Sequence, residues 1–178
     1  MNNMFKKVLI TEEMIKIAEQ RAKQVPTSRH TFMDFERHKI GFIGEEIFKN
    51  VFPQAKVSEG SNIYYYDYIL GKRKIEIKTK MVTSEPREHY ECSIYNYFQQ
   101  RPDYYFFCRV IKKGGDYPYG WLLGYISEPE FKEKNYFVPK GQLQPNGFVT
   151  RTDTWNILIK DLKPVDNVLR IINKKESV

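Results

Sequence analysis

A glycine set between two strand-like runs constrains this chain more than any other feature. The segment Tyr65-Tyr66-Asp67-Tyr68-Ile69-Leu70-Gly71-Lys72-Arg73-Lys74-Ile75-Glu76-Ile77-Lys78 puts Gly71-Lys72 between an aromatic run and a run alternating apolar with charged residues. Glycine at the first position of a two-residue loop meets the demand of a type II′ hairpin turn for φ > 0 there. Counting outward from that loop pairs Leu70 with Arg73, Ile69 with Lys74, Tyr68 with Ile75, and Asp67 with Glu76. Side chains alternate along a strand, so Glu76 and Lys78 share a face and Ile75 and Ile77 point the other way. A three-residue loop would instead send Asp67 and Glu76 to opposite faces.

Directly opposed side chains have Cβ atoms roughly 4.5–5.5 Å apart, where like charges destabilise a sheet. An acid within an aromatic strand is also costly without a partner. Asp67 facing Glu76 therefore calls for a cation between them. Lys78 supplies one charge. A hard divalent ion such as Mg²⁺ fits better, because it takes oxygen ligands and is usually held by one or two carboxylates with substrate phosphates. Such an ion polarises a phosphodiester and lowers the pKa of a bound water, and an amine two residues on can orient that water. The plainer alternative is an amphipathic edge strand over Arg73–Lys80 with a solvated charged face.

Around this hairpin the pattern predicts a mixed α/β domain. Thr11 before Glu12 and Glu13 reads as a helix start, with Met14, Ala18, Ala22 and Val25 at helical spacing until Pro26. A second helix is predicted over Asp34–Phe52, its stripe being Ile40, Ile43, Ile47 and Val51. Strands are predicted over Ile63–Leu70, Arg73–Lys80, Tyr104–Ile111, Trp121–Ile126 and Trp155–Ile159. Ser93–Gln100 is predicted as a short helix capped by Ser93, and Val165–Ile172 as a C-terminal helix. Lys112–Gly120 is a turn region, and Glu128–Thr150 is expected to be irregular.

Asp-x8-Glu-x-Lys, preceded by a helix containing Gly41-Phe42-Ile43-Gly44-Glu45-Glu46-Ile47-Phe48, resembles the PD-(D/E)XK nuclease superfamily, the restriction-endonuclease-like fold. The resemblance spans about Asp34 to Ile111. It implies a restriction-endonuclease-like core over about 34–127, a mixed central β-sheet flanked by helices. Extra C-terminal strands and a helix over 128–178 would complete a single domain. It implies Mg²⁺, with Mn²⁺ as substitute, held by Asp67, Glu76 and the Ile77 backbone carbonyl, with Lys78 as catalytic lysine. Glu45 takes the place of the helix acid, although helical spacing does not separate it from Glu46. Tyr66 stands where many members have proline, and Gln54–Gly60 is the only room for the strand expected before Asp67. The activity implied is hydrolysis of DNA phosphodiesters by metal-activated water, as an endodeoxyribonuclease. The alternatives are a non-catalytic nucleic-acid-binding or assembly module on the same scaffold, and an RNA-processing nuclease. Many relatives dimerise, so a homodimer is left open, and the resemblance fits a phage-encoded protein acting in the host cytoplasm.

Charge agrees with a polyanionic partner. Lys plus Arg number 29 against 22 Asp plus Glu in 178 residues, for a net charge of +7, and basic patches supply the salt-dependent part of nucleic-acid affinity. Lys72 and Arg73 at the hairpin tip and Lys80 on the Glu76 face are candidate phosphate contacts, against a solvated tip as the alternative. Gln99 and Gln100 are placed to approach a scissile phosphate, against plain helix-end amides. The 13 tyrosines suit half-buried strands, and their rings can also stack on bases. His30, His38 and His89 lack zinc spacing, and Cys92 and Cys108 form no CxxC, so reduced, partly buried thiols in an intracellular protein are expected. No apolar run approaches the roughly 20 residues of a membrane span.

Overall fold

A computed structural model describes residues 5–26, 32–95 and 97–168. Helix α1 (Glu12–Gln24) starts as predicted: Thr11 Oγ1 accepts the Met14 N–H at 3.2 Å, and Glu12 and Glu13 occupy the first turn. Its Met14, Ala18 and Ala22 are buried against α2 (Phe32–Val51), which turns Ile40, Ile43, Ile47 and Phe48 inward. Phe48 is the hub of an aromatic cluster, with ring centroids 5.1 Å from Phe52, 5.3 Å from Tyr68 and 5.1 Å from Phe106. Each such buried ring contributes about 1.5–3 kcal/mol.

Six strands build the central sheet: β1 (Lys6–Leu9), β2 (Lys56–Val57), β3 (Tyr68–Leu70), β4 (Arg73–Val82), β6 (Tyr104–Ile111) and β7 (Tyr119–Ser127), in the order β1-β7-β6-β4-β3-β2. The β4–β6 pair is parallel and the others antiparallel, so the sheet is mixed. A second sheet, ordered β5-β9-β8, consists of β5 (Glu91–Ile94), β8 (Tyr136–Val138) and β9 (Thr154–Leu158). Helices α1 and α2 cover one face of the central sheet. The second sheet and α3 (Glu128–Lys134) cover the other through Ile94, Tyr97, Phe107, Phe131 and Ile157. The chain is a mixed α/β protein, and no helix among the described residues is long and apolar enough to cross a membrane.

The hairpin follows the turn chemistry. Gly71 has φ +62° and, among the described residues, only glycines have positive φ, so Lys72 does not, the pattern of a type II′ rather than a type I′ loop. The observed pairs are Leu70 with Arg73, Ile69 with Lys74 and Tyr68 with Ile75. Other expectations change. The run expected as a strand over Ile63–Leu70 is strand only from Tyr68, because its neighbour β2 is two residues long and offers no ladder beyond. Residues Gly60–Tyr64 coil instead into a 3₁₀ turn. Ser93 does not cap a helix: Cys92 and Ile94 are buried alternately and pair with β9, leaving a 3₁₀ turn at Tyr97–Gln99. The crossover from β4 to β6 thus runs through a strand of the second sheet, where a helix is the usual solution. Within the stretch expected to be irregular lie α3, capped by Ser127, and β8. At the N-terminal side β1, which the pattern left unmarked, forms the sheet edge beside β7. The predicted C-terminal helix is helical at 166–168 and otherwise lies outside the described residues. Cys92 and Cys108 are free and fully buried rather than partly so.

Gly44 sits where α2 presses on β4. A Cβ there would stand 2.7 Å from Thr79 Cγ2 and 2.8 Å from Thr79 Cβ, whereas one at Gly41 would meet nothing within 4 Å. Gly44→Ala is therefore expected to lower stability by about 1–3 kcal/mol through overpacking. Gly41→Ala on the same helix should leave it unchanged or raise it by up to about 1 kcal/mol. Urea denaturation of the two variants checks the contrast.

Candidate functional site

Asp67 lies one residue before β3 and is gripped from both sides of the sheet. Its N–H donates to the Ile75 carbonyl at 2.8 Å, and its own carbonyl accepts the Ser58 N–H at 2.9 Å. Its carboxylate Oδ2 accepts the Ile77 N–H at 2.8 Å. That bond fixes the Asp67 side chain against β4, beside the residue after Glu76. Glu76 is 6% exposed. Its Oε1 accepts from Lys78 Nζ at 3.0 Å, two residues along the same strand face, and also from Gln100 Nε2.

The third acid arrives from the opposite face of the sheet. Glu45 follows Gly44 on α2 and is 8% exposed, and the tight Gly44–Thr79 contact sets how far it stands from β4. Arg21 of α1 donates from Nη2 to Glu45 Oε2 at 2.7 Å, lies 3.9 Å from Glu46 Oε1, and stacks its guanidinium 4.2 Å from the Phe42 ring centroid.

Electrostatics tie the three acids together. Burial, and after it the negative charge of Asp67, push the carboxyls of Glu45 and Glu76 up to about 8. Arg21 opposes the shift at Glu45, while Lys78 and Gln100 oppose it at Glu76. The Asp67 carboxyl is also raised by burial, against the pull of the Ile77 amide, Lys78, Arg21 and a hydrogen bond with Glu76. Glu46 is raised by burial but answers only to Arg21 and Lys49. Glu45, not Glu46, is thus the helix acid that feels Asp67 and Glu76.

Hydrogen bonds thus hold Asp67 to the Ile77 amide and Glu76 to Lys78 and Gln100 at the hairpin, and the buried Glu45 of α2 lies near enough for the charge of Asp67 to act on it. Ile77 meets Asp67 through its amide N–H. Lys72 and Arg73 are exposed at the hairpin tip, and Arg73 shares the face of Ile75 rather than that of Glu76. Lys80 pairs in register with Arg109 and lines a cleft of about 690 Å³ between the two sheets. Burial and the Arg109 charge lower its pKa. Gln99 is exposed, and its neighbour Gln100 is the glutamine that reaches Glu76. His38 lies partly buried on α2, His89 packs edge-on to Tyr90 at 4.9 Å, and His30 lies outside the described residues. Sequence reasoning missed Arg21. The available signal was its position three residues after Ala18 and seven after Met14, where a charge bordering a buried stripe needs a partner.

Among the described residues no group of three or more His, Cys, Asp or Glu side chains is drawn together as a formed metal cluster. Asp67 and Glu76 are carboxylate oxygen donors, the ligand type a hard cation takes. No known protein family and no curated protein matches the chain.

The shifts set a pH dependence. A carboxyl raised from 4.5 to about 8 on folding contributes stability that is complete below pH 4.5 and is lost as pH rises toward 8. Without divalent ions, wild type should therefore lose melting temperature relative to Glu76→Gln between these limits. Thermal melts in EDTA at a series of pH values, taken as the difference between the two proteins, check the sign.

Proposed function

We propose that this chain is a Mg²⁺-dependent nuclease on a restriction-endonuclease-like scaffold, hydrolysing DNA phosphodiesters by metal-activated water. One observation carries the reading: Asp67 is held by the Ile77 amide and the buried Glu76 by Lys78 on neighbouring strands of one hairpin, with Glu45 buried on the helix packed against it. The helix–hairpin–parallel strand order of α2, β3–β4 and β6 supports the scaffold. Asp67, Glu76 and the Ile77 carbonyl would hold the ion, with Glu45 beside them. When bound, Mg²⁺ neutralises charge on the phosphodiester and acidifies a water, and Mn²⁺ can substitute.

The chain's own residues supply the rest. Lys78, hydrogen-bonded to Glu76 at 3.0 Å, is an ammonium that orients a water or meets negative charge on the phosphoryl oxygens. Arg21 opposes the protonation of Glu45 and keeps it aimed. The Ile77 amide does the same for Asp67. A second reading, a non-catalytic nucleic-acid-binding module, is favoured by the two donors, Lys78 and Gln100, that already satisfy Glu76 Oε1.

Incubation with supercoiled plasmid, single-stranded DNA, branched DNA and RNA, in Mg²⁺ or EDTA, separates the readings. Nicking in Mg²⁺ and none in EDTA is expected, with Glu76→Ala and Lys78→Ala each reducing the rate at least about 100-fold. Binding without metal-dependent nicking would reject the nuclease in favour of the binding module.

A further inference from the structure

We propose that an exposed aromatic platform beside the acid corner stacks unpaired bases, so that the substrate is single-stranded nucleic acid or the unpaired part of a branched one. This rests on the nuclease reading for the word substrate, but the platform itself stands on separate residues. The segment between β5 and β6 borders the corner. Lys78 Nζ lies 5.8 Å from the Tyr95 ring centroid, Gln100 reaches Glu76, and the Arg101 N–H donates to the Tyr65 carbonyl at 3.0 Å. Tyr65 is two residues before Asp67, so both ends of this segment touch the site.

Large rings on this border face water. Phe98 is 76% exposed, Tyr95 60% and Phe137 52%. Phe98 meets Trp155 edge-on at 5.0 Å, and Trp155 meets Phe137 at 5.3 Å, so these three rings form one continuous patch, with Tyr95 three residues before Phe98 along the chain. Contiguous exposed apolar surface marks an interaction site. Its occupant is argued from charge. Three residues before Phe98, the Tyr95 ring lies 5.8 Å from Lys78 Nζ, and three residues after it Arg101 lies 5.6 Å from the Tyr65 ring, in a chain of net charge +7. Aromatic faces interleaved with cations are the chemistry that holds single strands, because every base has a face to stack and every linkage a negative charge. Bases paired inside a duplex present no such faces.

The test uses the full chain in EDTA, where cleavage plays no part. Trp121 is 5% exposed, so quenching of tryptophan fluorescence reports Trp155. Oligo-dT, oligo-rU and a duplex of equal length are titrated. Quenching by a single strand at an affinity at least tenfold above the duplex is expected, and the dT and rU arms tell which sugar is preferred. Phe98→Ala should weaken single-strand binding about fivefold or more, with the melting temperature unchanged because the ring is exposed, and Phe137→Ala should act in the same direction. Equal affinity for duplex, unchanged binding by Phe98→Ala, or a self-association that Phe98→Ala abolishes without altering binding would each overturn the platform. Single-strand binding without Mg²⁺-dependent cleavage would retain the platform and reject the nuclease; cleavage without single-strand preference would do the reverse.

Discussion

Three carboxylates share one poorly solvated corner of this protein, and the surrounding structure is arranged to keep them there. Burial alone drives Glu45 and Glu76 toward the neutral form, and the charge of Asp67 adds to it. The four opposing groups come from three places: Arg21 on α1, the Ile77 amide and Lys78 on β4, and Gln100 after the 3₁₀ turn. Removing one partner of such a buried pair leaves an uncompensated charge, which is why each acid has its own donor.

Packing explains how the acids come so close while starting on opposite faces of a sheet. Helix α2 lies against β4 at a position where only glycine fits, and that brings Glu45 down to the sheet. On the other side Glu76 and Lys78 project from β4 toward the segment carrying Tyr95 and Gln100. Asp67 stands where the β3–β4 ladder ends, its side chain taking the Ile77 amide in place of a ladder carbonyl. The sheet edge at this point is the passage between the faces.

The second sheet gives the site its surroundings. By covering the central sheet it buries Tyr105 and Phe107, walls the cleft holding Lys80 and Arg109, and carries Trp155 into contact with both Phe98 and Phe137.

Local chemistry was enough to read the hairpin register from Gly71, the first helix from its cap and stripe, the second from its stripe, and four of the strands from their runs. Each is decided within a few residues by a φ angle, a capping oxygen or a period. The same counting placed Glu76 and Lys78 on one face and offered Glu45 and Glu46 equally. Choosing between those two, and recruiting Arg21 and Gln100, depended on how α1, α2 and the 95–101 segment pack, because desolvation and Coulomb energy depend on distances between segments remote in sequence. The tyrosine run over 63–66 and the Ser93 segment were decided likewise: strand propensity expresses itself only where a neighbouring strand accepts the ladder, and only the assembled sheets determine where such neighbours lie.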